Sequence, residues 1–243
     1  MKKREMKRHF NRRVCQMIID MHMHEMRYSG DSFLRLENMV EIAKRRGLDG
    51  ICITDHDSMG LKEFAAEYSE KTGFPIFVGI EFYSLQGDIV AFGIEDYPKE
   101  RIPAQEFVDL VQAQGGMCFS AHPFRNNNRG LEENLKIVKG LDGIEVLNGS
   151  TLYEANRKAA EYAAELGLAT VGSSDCHVPE KLGLYATYFP REIRSVQELI
   201  RSVKRCETLP VYYKEGGYYL WDMKNPIDAP FHIYEQEQMV CAG

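Results

Sequence analysis

Residues 18–24 read Ile18-Ile19-Asp20-Met21-His22-Met23-His24, a short apolar run that ends in an acidic residue and two histidines. Such a run is typical of a buried strand. Because side chains alternate along a strand, we expect His22 and His24 to point to the same side. Two imidazoles on one side can bind one metal ion, and imidazole suits zinc, iron and other transition metals. The stretch therefore predicts a metal site at a strand end.

The same order, an apolar strand followed by a side chain that can bind a metal, recurs along the chain. The further stretches are 50–57, 76–81, 117–122 and 169–177, and five of the seven histidines fall at such strand ends. A single H-x-H pair is more often part of a surface or a core than of a metal site. The recurrence favours the metal site over polar groups that merely end strands.

Strand and helix patterns alternate six or seven times with short connections, which favours a parallel sheet crossed by helices. Among the predicted elements are one strand over 75–80, a helix that ends at Gly47 and another that ends near Gly140. The length of 243 residues suits one α/β barrel, in which loops at the carboxyl ends of several strands form the active site. We predict a barrel over 15–208, a basic arm over 1–14, and a C-terminal tail over 209–243 packed on the barrel.

Composition excludes several classes of protein. The formal net charge of -6 argues against a chain held on duplex nucleic acid by bulk electrostatics, so we expect no stable duplex binding. No apolar run reaches the length of a membrane span, and the basic N-terminus lacks the apolar segment of a secretory signal. The six cysteines include no C-x-x-C pair, which favours free cysteines in a reducing cytoplasm. The oligomeric state stays open.

The candidate metal ligands are too many for one zinc ion, which usually takes three protein ligands and a water in catalytic sites. They are His22, His24, Asp31, His56, Glu81, His122, Asp175 and His177, with Asp55, Asp57 and Asp88 as further possibilities. We therefore expect two or three divalent ions. Mixed imidazole and carboxylate ligands without thiolates favour Mn, Fe or Zn. Such ions activate a bridging water and neutralise charge on an ester oxygen, so hydrolysis of a phosphoester is the expected reaction.

The stretches 20–24, 47–57, 79–81, 121–123 and 174–177 together resemble the successive motifs of the PHP domain, the polymerase and histidinol phosphatase superfamily. The resemblance spans about residues 18–189. Members of this superfamily are distorted (β/α)7 TIM-like barrels with a di- or trinuclear metal centre, and most hydrolyse phosphoesters. The resemblance therefore implies this α/β fold class and a metal-dependent phosphoesterase with a metal-bridging hydroxide as nucleophile.

Carried over by position, the resemblance assigns a role to each ligand. One ion takes His22, His24, Glu81 and Asp175, and Glu81 bridges to a second ion that also takes His122. A third ion takes Asp31, His56 and His177. Glu81, Asp175 and His56 are the implied catalytic residues.

One residue departs from the family pattern, and three cations are candidates for binding the substrate. Asp88 stands where many members have a histidine, and it is either a ligand of the second ion or a simple turn residue before a strand. Arg125 and Arg129, in the loop after His122, can bind a substrate phosphate through charge-assisted hydrogen bonds, and Lys181 is a third candidate. The alternative for these cations is a solvated loop.

We therefore predict hydrolysis of a small phosphorylated substrate, such as a phosphomonoester, a nucleotide or a short oligonucleotide. One alternative is an enzyme like histidinol phosphatase. Another is a catalytically silent metal-binding module that serves a partner, and a third is hydrolysis of a non-phosphate bond.

Overall fold

The computed structural model describes residues 16–223, in which apolar runs form strands and amphipathic segments form helices. The strands are β1 (Met17–Asp20), β2 (Gly50–Ile53), β3 (Ile76–Val78), β4 (Ile80–Tyr83), β5 (Asp88–Phe92), β6 (Met117–Ser120), β7 (Gly143–Asn148), β8 (Ala169–Ser173), β9 (Tyr185–Phe189), β10 (Leu209–Lys214) and β11 (Gly217–Leu220). The helices are α1 (Leu36–Arg46), α2 (Lys62–Thr72), α3 (Ala104–Ala113), α4 (Tyr153–Leu166) and α5 (Val196–Lys204). The predicted mixed α/β fold is confirmed.

The strands form two hydrogen-bonded sheets, with the orders β11-β10-β9-β1-β2-β3 and β4-β5-β6-β7-β8. Three neighbours in each sheet are parallel, β1-β2-β3 and β6-β7-β8, whereas β5 and β9 pair antiparallel with their neighbours. The predicted closed (β/α)7 barrel is not confirmed, because the backbone ladders of residues 16–223 do not join into one continuous sheet. Hairpins connect two of the antiparallel pairs, β4 to β5 and β10 to β11, whereas helices α3 and α5 connect the antiparallel pairs β5–β6 and β9–β10.

Gly79 divides the strand that we predicted over 75–80. A Cβ atom at this position would lie 2.4 Å from the carbonyl oxygen of Ala91 and 2.7 Å from the ring of Phe92. Only glycine permits so close an approach between the two backbones. The chain therefore passes at Gly79 from β3, in the first sheet, to β4, in the second.

Threonine hydroxyls join the two sheets on the other side. The hydroxyl of Thr187 in β9 donates to the carbonyl oxygen of Gly172 in β8 at 2.7 Å and accepts from the N–H of Gly172 at 3.0 Å. The hydroxyl of Thr208 donates to the carbonyl oxygen of Thr170 at 2.9 Å. Side chains thus satisfy backbone groups at the edge of β8, and the sheets enclose a shared interior.

One apolar cluster fills the space between the sheets. Its members come from seven strands and include Ile19, Met21, Cys52, Phe77, Val90, Phe92, Phe119, Val171 and Phe189. Helix α1 packs on the outer side through Leu36, Met39, Val40 and Ala43 and ends at Gly47 in the left-handed conformation, as predicted. The packed interior fixes the strand ends at which the polar side chains lie.

Two regions differ from the sequence predictions. The helix predicted to end near Gly140 is only a short 3-10 helix at Glu132–Lys136. Strands β10 and β11 form a hairpin that extends the first sheet beside β9, although we predicted residues from 209 onward as a tail. The predicted basic arm over 1–14 and the rest of the tail, 224–243, lie outside the described residues. Over the described range, helices long and apolar enough to cross a bilayer are absent.

Candidate metal centre

The two histidines that follow β1 lie side by side, as the strand pattern predicts. Nε2 of His22 is 3.1 Å from Nε2 of His24, and both side chains are fully buried. Asp20, the last residue of β1, accepts hydrogen bonds from the backbone N–H groups of Ser174 at 2.9 Å and Gly183 at 3.0 Å. Asp20 therefore fixes the loop that carries Asp175 against the two imidazoles.

The other ring nitrogen of His22 shows which tautomer is present. Nδ1 of His22 lies 3.2 Å from Oε1 of Glu145, a fully buried carboxylate in β7. Burial alone would raise the pKa of Glu145, but the charges around it, above all His22, hold its pKa below the usual value. Because an ionised carboxylate only accepts, Nδ1 of His22 donates and Nε2 presents a lone pair when the ring is neutral.

His24 is held in the same way through a hydroxyl. The hydroxyl of Ser29 donates to Oδ1 of Asp55 at 2.8 Å, so its oxygen is free to accept from Nδ1 of His24 at 3.2 Å. The neutral imidazole of His24 then also presents its Nε2 lone pair, and it faces the lone pair of His22. Two lone pairs 3.1 Å apart repel each other unless a cation or a proton lies between them. The donor set therefore fits a metal ion.

Two carboxylates complete this arrangement. Oδ1 of Asp175 is 3.2 Å from Nε2 of His24, and Oε1 of Glu81 is 3.3 Å from Nε2 of His22. The same Glu81 oxygen is 2.9 Å from Nε2 of His122. Ligands about 2 Å from one ion lie roughly 3–4 Å from each other. The spacing of these atoms thus suits ligands that share ions.

Three groups of potential ligands arise in this way within residues 16–223. The ligand atoms of each group lie within 4.8 Å of one another, and the groups are His22–His24–Asp175, His22–Glu81–His122 and His24–His56–His177. The third group reaches the pocket mouth, where Oδ2 of the exposed Asp31 is 3.3 Å from Nε2 of His56 and 3.4 Å from Nε2 of His177. The sequence predicted all eight of these residues as ligands, and the structure brings them together.

Burial and charge act in opposite directions on the pKa values of the two central histidines. Burial disfavours the charged form of both, and it lowers the pKa of His24 to about 4. For His22 the surrounding carboxylates of Asp175, Glu81 and Glu145 outweigh burial and raise the pKa well above the usual value. Of the two neighbouring rings, His22 is therefore the more basic.

Arginines cover the remaining carboxylates. Arg125 donates to Oδ2 of Asp175 and, at 2.7 Å, to Oδ1 of Asn148, while Arg129 forms a two-bonded fork with Asp88. Burial, together with the charge of Glu81, raises the pKa of Asp88 to about 6.

The pocket has a volume of about 150 Å³, and both arginines help to line it. Its lining is Asp31, His56, Glu81, Asp88, His122, Arg125, Asn127, Arg129, Asp175 and His177. Lys181, the third predicted cation, is not part of this lining. His122 and Asp175 have positive φ angles of 28° and 48°, which non-glycine residues seldom adopt and which cluster at functional sites.

The sequence did not identify the residues behind the histidines. Glu145 received no role, although a single acidic residue inside the apolar run 144–147 is a usable signal of a buried partner. Ser29 offered no such signal. Asp55 and Asp57, considered as further ligands, lie elsewhere: Asp55 supports Ser29, and Oδ1 of Asp57 accepts from the N–H of Tyr83 at 2.9 Å.

Fold and site together define a two-sheet α/β protein with a candidate multinuclear metal centre at one end of its interior. The sequence pattern of the PHP-associated family matches residues 153–208, from the start of α4 to the residue before β10. An uncharacterised protein of Methanocaldococcus jannaschii is 28% identical over 143 residues, 54% of this chain and 82% of the relative. A probable phosphatase of Caldicellulosiruptor saccharolyticus is 24% identical over 209 residues, 82% of this chain and 78% of the relative.

Solved structures share the fold. A two-domain protein from Bacteroides vulgatus that contains a predicted PHP-like metal-dependent phosphoesterase superposes with a TM-score of 0.66 and 22% identity, over 82% of this chain and 65% of that one. The lesion-specific endonuclease EndoQ from Pyrococcus furiosus gives a TM-score of 0.63 and 17% identity, over 84% and 57% of the two chains. At these identities the likeness concerns the fold alone. With the family match, it confirms the resemblance to the PHP superfamily.

Proposed function

We propose that the chain is a metal-dependent phosphoesterase that hydrolyses a small phosphorylated substrate. One observation carries this proposal: the imidazoles of His22 and His24 are held with their Nε2 atoms facing each other, next to buried carboxylates that line a pocket together with two arginines. Such a site combines cation ligands with anion-binding groups, as a phosphoester requires. Similarity to a probable phosphatase and to a PHP-like phosphoesterase indicates a hydrolase.

In the proposed mechanism, the three groups of ligands hold two or three divalent ions, with Mn, Fe and Zn as the candidates. When bound, these ions neutralise charge on the phosphoryl oxygens and lower the pKa of the attacking water. Glu81 and Asp175 are the residues for which we propose the central catalytic roles, because each faces two or more imidazoles.

His56 is the third proposed catalytic residue. Its Nδ1 is 2.7 Å from Oε2 of Glu81, and its Nε2 faces the pocket mouth at Asp31. Burial opposes protonation of His56, but the contact with Glu81 raises its pKa to about 9. The ring can therefore hold a proton at Nε2 near a departing group, or ligate an ion there.

The arginines are the proposed substrate-binding residues. The side chains of Arg125 and Arg129 are 19% and 31% exposed and line the pocket together with three of the imidazoles, His56, His122 and His177. A guanidinium recognises phosphate oxygens through two parallel hydrogen bonds, which fixes the phosphoryl group against the ligands. Lys181 is retained only as a weaker candidate outside the pocket lining.

The test is hydrolysis by the full chain loaded with Mn²⁺. The substrates are an aryl phosphate, nucleoside monophosphates, short oligonucleotides and a lesion-bearing duplex. We expect His22→Ala and Asp175→Asn to abolish hydrolysis, and Asp109→Asn, on the exposed face of α3, to leave it unchanged. The proposal would be refuted if the protein hydrolysed none of these substrates, or if its activity survived in both site variants.

The same assay separates the alternatives. A histidinol-phosphatase-like enzyme would prefer histidinol phosphate to the aryl phosphate by a large factor. A silent module would bind Mn²⁺ and hydrolyse nothing. The small-substrate expectation is not confirmed, because the neighbour from Pyrococcus furiosus is an endonuclease, and the duplex arm tests it.

We also propose that the chain works in the cytoplasm, a location supported by the free, buried cysteines at 52, 118 and 176.

A further inference from the structure

Asp88 and Arg129 form a charge pair beside the imidazoles. Asp88 is fully buried at the start of β5; Nε of Arg129 donates to its Oδ2 at 2.6 Å, and Nη2 donates to its Oδ1 at 2.9 Å. The backbone N–H of Asp88 donates to the carbonyl oxygen of Arg129 at 2.7 Å. Main chain and side chains thus hold the two residues in one fixed arrangement.

The carboxylate of Asp88 is close enough to His122 for both side chains to bind the same metal ion. Its Oδ2 is 3.6 Å from Nε2 of His122, which is in turn 2.9 Å from Oε1 of Glu81. These separations match those of atoms that share one ion. Both oxygens of Asp88 nevertheless already accept from the fork of Arg129, and the ligand groups found in residues 16–223 do not include Asp88.

The guanidinium of Arg129 is itself held in place. It stacks on the ring of Tyr83, 4.3 Å from the centroid, and the backbone N–H of Arg129 donates to Oδ1 of Asn127 at 3.1 Å. A second guanidinium, that of Arg101, stacks on the same ring at 3.7 Å but donates to the carbonyl oxygen of Ser84 at 2.8 Å rather than to a carboxylate. Arg129 is therefore a fixed positive charge rather than a mobile surface side chain.

We propose that the guanidinium of Arg129 takes the place of a metal ion at the carboxylate of Asp88, so that Asp88 is not a metal ligand in this chain. A buried carboxylate needs a compensating cation, and a guanidinium supplies one at any metal concentration and any physiological pH. The exposed edge of the same guanidinium then receives a phosphoryl oxygen of the substrate. This inference deepens the proposed function and rests on it for the role of the substrate.

The test counts metal ions in variants of the full chain. Each variant is stripped with chelator and titrated with Mn²⁺, and bound ions are counted by the loss of the free Mn²⁺ signal in electron paramagnetic resonance and by elemental analysis. We expect Asp88→Asn to bind as many ions as the wild type. We expect Arg129→Gln to bind one ion more, because the freed carboxylate of Asp88 joins Glu81 and His122.

Two controls isolate this effect. Arg101→Gln removes a guanidinium from the same tyrosine without freeing a carboxylate, and it should leave the ion count unchanged. The double variant Arg129→Gln/Asp88→Asn should return to the wild-type count. Loss of an ion in Asp88→Asn, or an unchanged count in Arg129→Gln, would overturn the inference.

The ion count can be interpreted even if a variant does not fold without metal or if hydrolysis is not detected. If Arg129→Gln does not fold without metal, the count for Asp88→Asn still decides whether Asp88 is a ligand in the wild type. Ion counts do not require turnover, so the count and the hydrolysis assay can fail independently. An extra ion in Arg129→Gln, together with no hydrolysis of any substrate by the wild type, would support the inference and refute the proposed function.

Discussion

On the first side of the metal centre, the buried imidazoles of His22 and His24 face each other, and Nδ1 of each ring is bonded to an acceptor, Glu145 or Ser29. On the second side, Arg125 and Arg129 already donate to buried carboxylates. The ring nitrogens of the first side present lone pairs that need a cation between them, whereas the carboxylates of the second side are already paired with arginines.

A phosphoesterase site must bind both metal ions and an anionic substrate, and the difference assigns these two tasks to different residues. Because the first side is complete only with a cation, it should determine metal affinity. Because the second side carries permanent positive charge, it should determine affinity for the anionic substrate. Variants on the two sides should therefore affect different measurements, and we order them here by their expected effect on Mn²⁺ affinity, from largest to smallest.

Glu81→Gln should have the largest effect. The carboxylate of Glu81 lies within 3.6 Å of ring nitrogens of His22, His24, His56 and His122, so it belongs to every part of the first side. We expect Mn²⁺ affinity to fall by more than the roughly 10–100-fold that a supporting residue costs, with loss of hydrolysis. Isothermal titration with Mn²⁺ measures the change.

The matched control for this substitution is Glu154→Gln, at the exposed start of α4, where the side chain is 73% exposed. It should leave affinity and activity at the wild-type level. Wild-type Mn²⁺ affinity in Glu81→Gln would show that the first side does not bind the ions.

Glu145→Gln should come second. This carboxylate accepts from four donors: Nδ1 of His22 and the Ser173 hydroxyl bond to Oε1, and the N–H of His122 and Nδ2 of Asn148 bond to Oε2. An amide presents an NH₂ group to one of these pairs, which leaves buried donors unsatisfied at about 1–3 kcal/mol. We expect Mn²⁺ affinity to fall roughly 10–100-fold.

A suitable comparison for Glu145→Gln is Asp142→Asn. Oδ2 of Asp142 also accepts from two donors, the N–H of Cys118 at 2.9 Å and Nε2 of Gln112 at 2.9 Å, but it is not part of the pocket lining. Thermal unfolding should show destabilisation in both variants, and Mn²⁺ titration should show an effect only in Glu145→Gln. Equal Mn²⁺ affinities for the two variants would mean that Glu145 acts only on stability.

Ser29→Ala should have a smaller effect on the same side. The substitution removes the acceptor for Nδ1 of His24 and the link to Asp55, but the lost group is a neutral hydroxyl. We expect a fall in Mn²⁺ affinity of roughly 10-fold, at the low end for supporting residues. Ser29→Thr retains the hydroxyl and should recover most of the affinity. A larger loss of Mn²⁺ affinity in Ser29→Ala than in Glu145→Gln would contradict the order that we infer.

The sequence predicted that the side chains of the first side converge, because these residues follow local patterns. His22 and His24 are two residues apart at a strand end, so their common direction follows from strand geometry. Glu81, His122 and Asp175 each follow an apolar run, and the carboxyl ends of strands in an α/β fold converge on one region.

The remaining features depend on contacts between distant residues, which local patterns do not contain. Glu145 is 123 residues from the histidine that it supports, and Arg129 is 41 residues from Asp88. The closed barrel was predicted because nothing local shows that Gly79 lies against the carbonyl oxygen of Ala91 and lets the chain change sheets. Pairing of this kind is determined by tertiary packing.

Arg125→Lys tests the second side. It comes last in the order because we expect it to leave Mn²⁺ affinity unchanged. Lysine keeps the positive charge beside Asp175 but cannot reproduce the planar fork, which reaches Asp175 and Asn148 through Nη2 and Thr151 through Nε. We expect KM for the substrate to rise roughly 10-fold, since a charge-assisted hydrogen bond contributes about 1.5–3 kcal/mol. Steady-state kinetics at saturating Mn²⁺ gives KM, and titration gives metal affinity. A fall in Mn²⁺ affinity with unchanged KM would mean that Arg125 holds Asp175 for the ions, and the two sides of the metal centre would then share one task.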